Sequence, residues 1–147
     1  MKVLRAETTA HRAGAYYVRI QAMARKYHIT LEQEFDEHDT PDAKYIVILD
    51  EDFPVATCRL YSTDAKEIVL GRIVVLPEYR HKGIGSLCVA EAEKWAEELG
   101  FEKSVLDARE EKVGFYERLG YTADFDRIIN GETFTCIHME KELKCKS

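Results

Sequence analysis

A mixed, mostly antiparallel central sheet flanked by helices, in an α/β (α+β) chain forming one domain over residues 1–147, is the fold class that three observations predict. Between Tyr45 and Leu76, three runs suited to strands are joined by short polar turns, the pattern of an antiparallel meander. The third run then passes through a glycine turn into an apolar period of helical spacing. Beyond that helix the chain reads strand, helix, strand, strand, and the first of these lies parallel to the strand before the helix if the crossover is the usual one.

Taken in order, Lys2 to Glu7 reads as an edge strand whose large apolar residues are Val3 and Leu4. From Thr9 to His28, Ala13, Tyr17, Ile20, Ala24 and Tyr27 recur at helical steps, with Thr8 or Thr9 as cap and a wet face bearing arginines. The acidic stretch Glu32 to Asp42 then reads as a solvated connector, or else as an acidic wall that favours a cationic amine. Strands follow at Tyr45 to Leu49, Val55 to Tyr61 and Glu67 to Leu76. The helix after Gly83 carries Ile84, Leu87, Cys88, Ala92, Trp95, Ala96 and Leu99 on its apolar face and stops at Gly100. Lys103 to Asp107 is a short strand. Glu110 to Leu119 is a helix that buries Val113, Tyr116 and Leu119 and stops at Gly120. Tyr121 to Phe125 and Glu132 to Glu140 are strands joined by a turn at Asn130-Gly131.

Composition narrows the function classes. Hydrophobic residues make up 46% of the 147, enough for a proper core without disulfide staples. Lys and Arg number 21 against 27 Asp and Glu, a formal charge of −6, which argues against unspecific binding to nucleic acid or anionic lipid. The first residues carry no secretory pattern and no apolar run approaches a membrane span, so a cytoplasmic protein is expected. Cys58, Cys88, Cys136 and Cys145 lack paired metal-ligand spacing and read as free or structural thiols, with no metal site expected. Cys136 and His138 would point the same way from one strand, but two ligands do not make a site.

Against this acidic background the segment from Ile73 to Ser86 stands out. A short β-branched run ends at Pro77, Arg80, His81 and Lys82 form a basic cluster, and Gly83 and Gly85 open the helix. Glycines let a ligand approach the backbone, and the first amides of a helix have no partner within it, so the turn can hold a phosphate or pyrophosphate. It is not a P-loop, because the lysine precedes Gly83, and it lacks the third glycine of the dinucleotide fingerprint.

Arg80-x-x-Gly83-x-Gly85, after a strand and opening a helix, resembles the acetyl-CoA signature of the GCN5-related N-acetyltransferase (GNAT) superfamily. Arg72-Ile73-Val74-Val75 is similar to the family's central strand, and Phe115-Tyr116-Glu117-Arg118-Leu119-Gly120-Tyr121 to its later motif. The element order also matches. Glu34 to Asp39 with Thr57-Cys58-Arg59-Leu60 looks most like a small bacterial branch of the superfamily.

The resemblance implies the acyl-CoA N-acyltransferase fold and transfer of acetyl from acetyl-CoA to a primary amine, on a small molecule or a peptide. Backbone of Ile73, Val74 and Val75 would pair with the pantetheine amides. Amides from His81 through Lys82, Gly83, Ile84 and Gly85 to Ser86, with the Arg80 and Lys82 side chains, would hold the pyrophosphate. Tyr116 would be the general acid for the departing thiolate, its alternative being a core aromatic. His138 and Glu34 are the candidates for general base. Arg59 and Arg72 would bind an acceptor carboxylate or an acidic group at the sheet edge. Where many members carry a cofactor-holding asparagine, this chain has Asp107-Ala108-Arg109-Glu110, and Arg109 is then the residue left to reach a phosphate. The rival class is an acyl-CoA-binding sensor or regulatory module without turnover. A homodimer through a strand edge or a helix suits a chain of this size.

Overall fold

The structure, a computed structural model, describes residues 1–131 and 133–144. Glu132, the expected first residue of the last strand, and Cys145 lie outside the described residues.

Strand β1 (Lys2–Arg5) leads into helix α1 (Thr9–Arg19), which Thr8 caps by accepting a hydrogen bond from the His11 amide at 3.1 Å. The helix loosens into a π-helical turn at Ile20–Ala24, resumes as α2 (Arg25–Tyr27), and ends at His28 in the left-handed conformation. A capping box between Thr30 and Gln33 then starts a single turn, α3 (Leu31–Glu34), within the acidic stretch. Strands β2 (Lys44–Asp50), β3 (Phe53–Ser62) and β4 (Glu67–Val75) form the expected meander. Helix α4 (Ile84–Glu98), strand β5 (Lys103–Arg109), helix α5 (Val113–Arg118) and strands β6 (Thr122–Asn130) and β7 (Thr135–Glu142) complete the order.

All seven strands join one sheet, β1-β2-β3-β4-β5-β7-β6, antiparallel except where β4 meets β5. Ile46, Ile48, Cys58 and Leu60 meet Cys88, Val89, Ala92 and Ala96 of α4 in the main core. Tyr45 and Val47, pointing the opposite way from β2, bury Ala15 of α1. Among the described residues no helix is long and apolar enough to cross a membrane.

Two helix faces differ from expectation. In α1 the buried residues are Ala15, Val18 and Arg19, while Ala13 is exposed, so the inward face is turned away from the Ala13–Tyr17–Ile20 stripe. Arg19 is inside because three carboxylate oxygens receive its donors there. In α4, Val89 is inside, whereas Leu87 and Leu99 are exposed.

Candidate active site

Strands β4 and β5 pair only at Glu67↔Lys103, Ile68↔Ser104 and Val69↔Val105. Beyond those rungs β4 runs on to Val75 and β5 to Arg109 without pairing to each other. The cause is a bulge. Between the β3 partners Arg59↔Gly71 and Thr57↔Val74 the β4 strand carries one residue more, and Arg72 sits there at φ 47. A bulge bends its strand, so β4 leaves β5 and the backbone edge of Ile73 to Val75 stays unpaired with it. The resulting crevice opens at the carboxyl ends of two parallel strands, the usual place for a ligand in sheets of this kind.

At the mouth of the crevice, Pro77–Tyr79 form one 3₁₀ turn, and His81 (φ 64) and Gly83 (φ 76) reverse the chain into α4. A Cβ at Gly83 would meet nothing within 4 Å, so backbone conformation and not space requires glycine there. No side chain caps α4, which leaves its first amides directed outward with the positive end of the helix dipole. His81, Lys82 and Gly83 are exposed, Gly85 and Ser86 are partly so, and Ile84 is buried as the anchor of the turn. Arg80 donates from Nε to the Val75 carbonyl at 3.3 Å, and the Lys82 ammonium lies 5.5 Å from the Tyr79 ring. Tyr79 in turn donates to Asp50 at 2.7 Å, tying the turn to the end of β2.

Tyr116 of α5 is 8% exposed and packs edge-on against Phe115 and Tyr121. Burial raises its phenol above the ordinary value, so the hydroxyl keeps its proton at neutral pH. It makes no hydrogen bond with the described residues, yet its oxygen is not sealed from solvent. Tyr121, also buried, is fully engaged: its hydroxyl donates to Glu93 at 2.8 Å and shares a hydrogen bond with Ser104 at 2.7 Å.

His138 stands on β7 directly opposite Asp107 of β5, with Nδ1 at 3.2 Å from Asp107 Oδ1. Its Nε2 is buried without a hydrogen-bonding partner, and Glu140 Oε2 lies 3.9 Å away. Leaving a buried polar atom unpaired costs about 1–3 kcal/mol, which makes this nitrogen an unusual feature of the sheet. Cys136 follows on the same face, its thiol pushed up by burial.

Glu34 is corrected by the structure. It is 1% exposed, and its Oε2 lies 2.9 Å from Arg19 Nε and 3.2 Å from Arg72 Nε. A carboxylate oxygen already held by two guanidinium groups in the interior serves as their counter-charge. The acidic stretch around it is likewise no solvated connector. Asp39 receives Arg19 Nη1 at 2.6 Å, Arg59 Nη1 at 3.1 Å and the Tyr45 hydroxyl at 2.7 Å, and Asp36 receives Arg59 and Arg72. Burial alone would raise the Asp39 carboxyl, but the bonds from Arg19 and Tyr45 outweigh it and hold the group well below its ordinary 3.8. Three arginines thus neutralise three carboxylates, and Arg59 and Arg72 find their acidic partners within the chain. Arg59 Nε is buried without a partner.

Arg109 also differs from expectation. Its Nη1 donates to the Tyr27 hydroxyl at 3.2 Å and its guanidinium lies 4.6 Å from the Phe134 ring, which ties β5 to α2 and to the β6–β7 connection. No described contact joins it to the glycine turn. Asp107, which the sequence marked only as a departure, is the functional candidate that linear reading missed. Nothing short of the β5–β7 register pairs it with a histidine 31 residues away. Among the other side groups, Cys58, Cys88 and Cys136 are free thiols, and burial pushes Cys88 up to about 12.

These features have counterparts in known proteins. The "Uncharacterized protein YyaT" of Bacillus subtilis is 32% identical over 125 residues, covering 82% of each chain. The "Uncharacterized N-acetyltransferase YjcF" of the same organism is 31% identical over 121 residues, 82% of this chain and 85% of its own. A crystal structure named "putative N-acetyltransferase from Lactobacillus plantarum" superposes with a TM-score of 0.90 at 28% identity, covering 97% of this chain and 98% of that one. The family model described as "Acetyltransferase (GNAT) family" matches residues 8–121, which contain the split strand, the glycine turn and Tyr116. A sheet opened by a bulge, with an uncapped helix at its mouth, is therefore the acyl-CoA N-acyltransferase fold, and the chain belongs to the GNAT acetyltransferase family.

Proposed function

We propose that the chain transfers an acetyl group from acetyl-CoA to a primary amine of a small molecule or peptide by direct attack. The observation that carries this reading is the juxtaposition of an unpaired strand edge, Ile73 to Val75, with the uncapped start of α4. The edge offers amides and carbonyls at the spacing a pantetheine arm needs, as when a strand is added to a sheet. The amides from His81 to Ser86, with the cationic Arg80 and Lys82, suit a pyrophosphate.

His138 accepts a proton from the ammonium of the acceptor, directly or through water. The freed amine attacks the thioester carbonyl, which a backbone amide near Val74 polarises. A C–N bond forms, the C–S bond breaks, Tyr116 delivers its proton to the departing thiolate, and the second proton that the nitrogen sheds on becoming an amide restores the phenol through solvent. The Tyr116 phenol is suited to this because burial keeps it protonated and no hydrogen bond from the described residues takes up its hydroxyl. The free thiols fit a reducing compartment, and we place the enzyme in the cytoplasm.

Isothermal titration with acetyl-CoA followed by a thiol-release screen across amine classes tests the reading. Binding with amine-dependent thiol release is expected. Absence of binding at about millimolar acetyl-CoA, where even a weak ligand registers, overturns it. Binding without release for any amine class would favour a sensor module that holds acyl-CoA.

A further inference from the structure

We propose that Asp107 is a positioning residue that fixes the His138 imidazole as a proton acceptor. This rests on the reading of His138 as general base and goes beyond it by assigning the tautomer and the group that sets it. Three observations carry it. Asp107 and His138 are cross-strand partners on one face of the sheet, with Oδ1 and Nδ1 3.2 Å apart. A carboxylate accepts but does not donate, so this contact holds the proton on Nδ1 and leaves the lone pair on Nε2. That nitrogen is buried without a hydrogen-bond partner among the described residues, on a residue 8% exposed.

The location fits the task. Asp107 lies beyond Val69↔Val105, on the part of β5 that β4 does not pair. The other groups facing His138 are Asp124, its partner on β6, and Cys136 and Glu140 on its own strand. Asp124 accepts from the Asp126 amide at 3.0 Å and is fixed in its own turn. Arg109, two pairs along on β5, is engaged by Tyr27 and Phe134 and leaves the Asp107 carboxylate to the histidine.

In the step itself the N–H bond of the acceptor ammonium breaks and an Nε2–H bond forms. The imidazolium that results lies between Asp107 Oδ1, 3.2 Å from Nδ1, and Glu140 Oε2, 3.9 Å from Nε2. Asp107 takes no proton in this step.

The test compares wild type, Asp107→Asn, Asp107→Glu and His138→Gln. Nitrogen-15 NMR of histidine-labelled protein reads the tautomer without any acceptor amine, and should show the Nδ1–H form in wild type and its loss or mixing in Asp107→Asn. With an amine found by thiol release, Asp107→Asn should lower kcat about 10- to 100-fold at nearly constant KM, part of the range for a general base. The acid limb of its pH profile should move to lower pH, because removing a negative neighbour disfavours the imidazolium. Asp107→Glu should recover part of both. If His138→Gln keeps wild-type kcat, the base reading fails and the proposal with it. If His138→Gln is impaired while Asp107→Asn leaves tautomer and acid limb unmoved, the proposal alone fails.

Discussion

Tyr116 and Tyr121 lie edge to face with ring centroids 6.0 Å apart, and of the two only Tyr121 has hydrogen-bond partners for its hydroxyl among the described residues. The two phenols should therefore respond oppositely to loss of oxygen. Tyr116→Phe should leave stability within about 1 kcal/mol of wild type, since no hydrogen bond to the described residues is lost, and lower kcat by about 100-fold or more as the proposed general acid disappears. Tyr121→Phe strands Ser104 and Glu93 and should cost about 1–3 kcal/mol while affecting turnover less. Urea unfolding beside steady-state kinetics checks both, and a reversed pattern refutes the assignment.

The Arg19–Asp39 pair predicts an acid sensitivity of stability. The carboxyls of Asp39 and Asp36 are held below their ordinary 3.8 in the folded chain, so their contribution is complete above that value. It is lost as pH falls towards the depressed folded values. Unfolding free energy should thus decline from about pH 5 downward, and Asp39→Asn should flatten that decline. Breaking the network from the other side, Arg19→Met should cost about 3–5 kcal/mol at pH 7, because Glu34 and Asp39 lose a buried counter-charge. Denaturant titrations at several pH values give both measurements.

Gly83 gives a cleaner test of the anion turn than removing a charge. At φ 76 with open space around it, Gly83→Ala adds no clash and only the strain of a left-handed residue, about 1–2 kcal/mol. The expected result is weaker acetyl-CoA binding by titration, with kcat at saturation close to wild type. Unchanged affinity would remove the turn from the binding site.

Glu34→Gln separates structure from catalysis in the acidic stretch. It should destabilise the chain, since Arg19 and Arg72 lose a buried anion, yet leave the pH dependence of the remaining activity unmoved. A shifted pH profile would return Glu34 to the candidate bases.

Much of this was legible where the signals are local. The meander, the parallel return to β5, the glycine turn and the helix stop at Gly100 follow from residues close together in the chain. What escaped depends on partners from elsewhere. Arg19 looks like a surface residue until Glu34 and Asp39 come to it, and with it inside, the whole inward face of α1 turns. The run of acids around Glu34 looks solvated until arginines from α1, β3 and β4 arrive. Asp107 has no meaning before β7 is inserted beside β5, and an extra residue at Arg72 leaves no mark in an apolar alternation.

The three rungs between β4 and β5 make the sheet two plates joined along a short seam. An incoming ligand arm that lies in the open part of that seam breaks no rung to enter, so its hydrogen bonds are gained against water and not against an existing ladder. Filling the seam would also stitch the plates together along their full length. Occupancy by the acyl donor would then be felt as stiffness across the whole sheet, in slower amide exchange on both β4 and β5 and in a melting point that climbs with donor concentration.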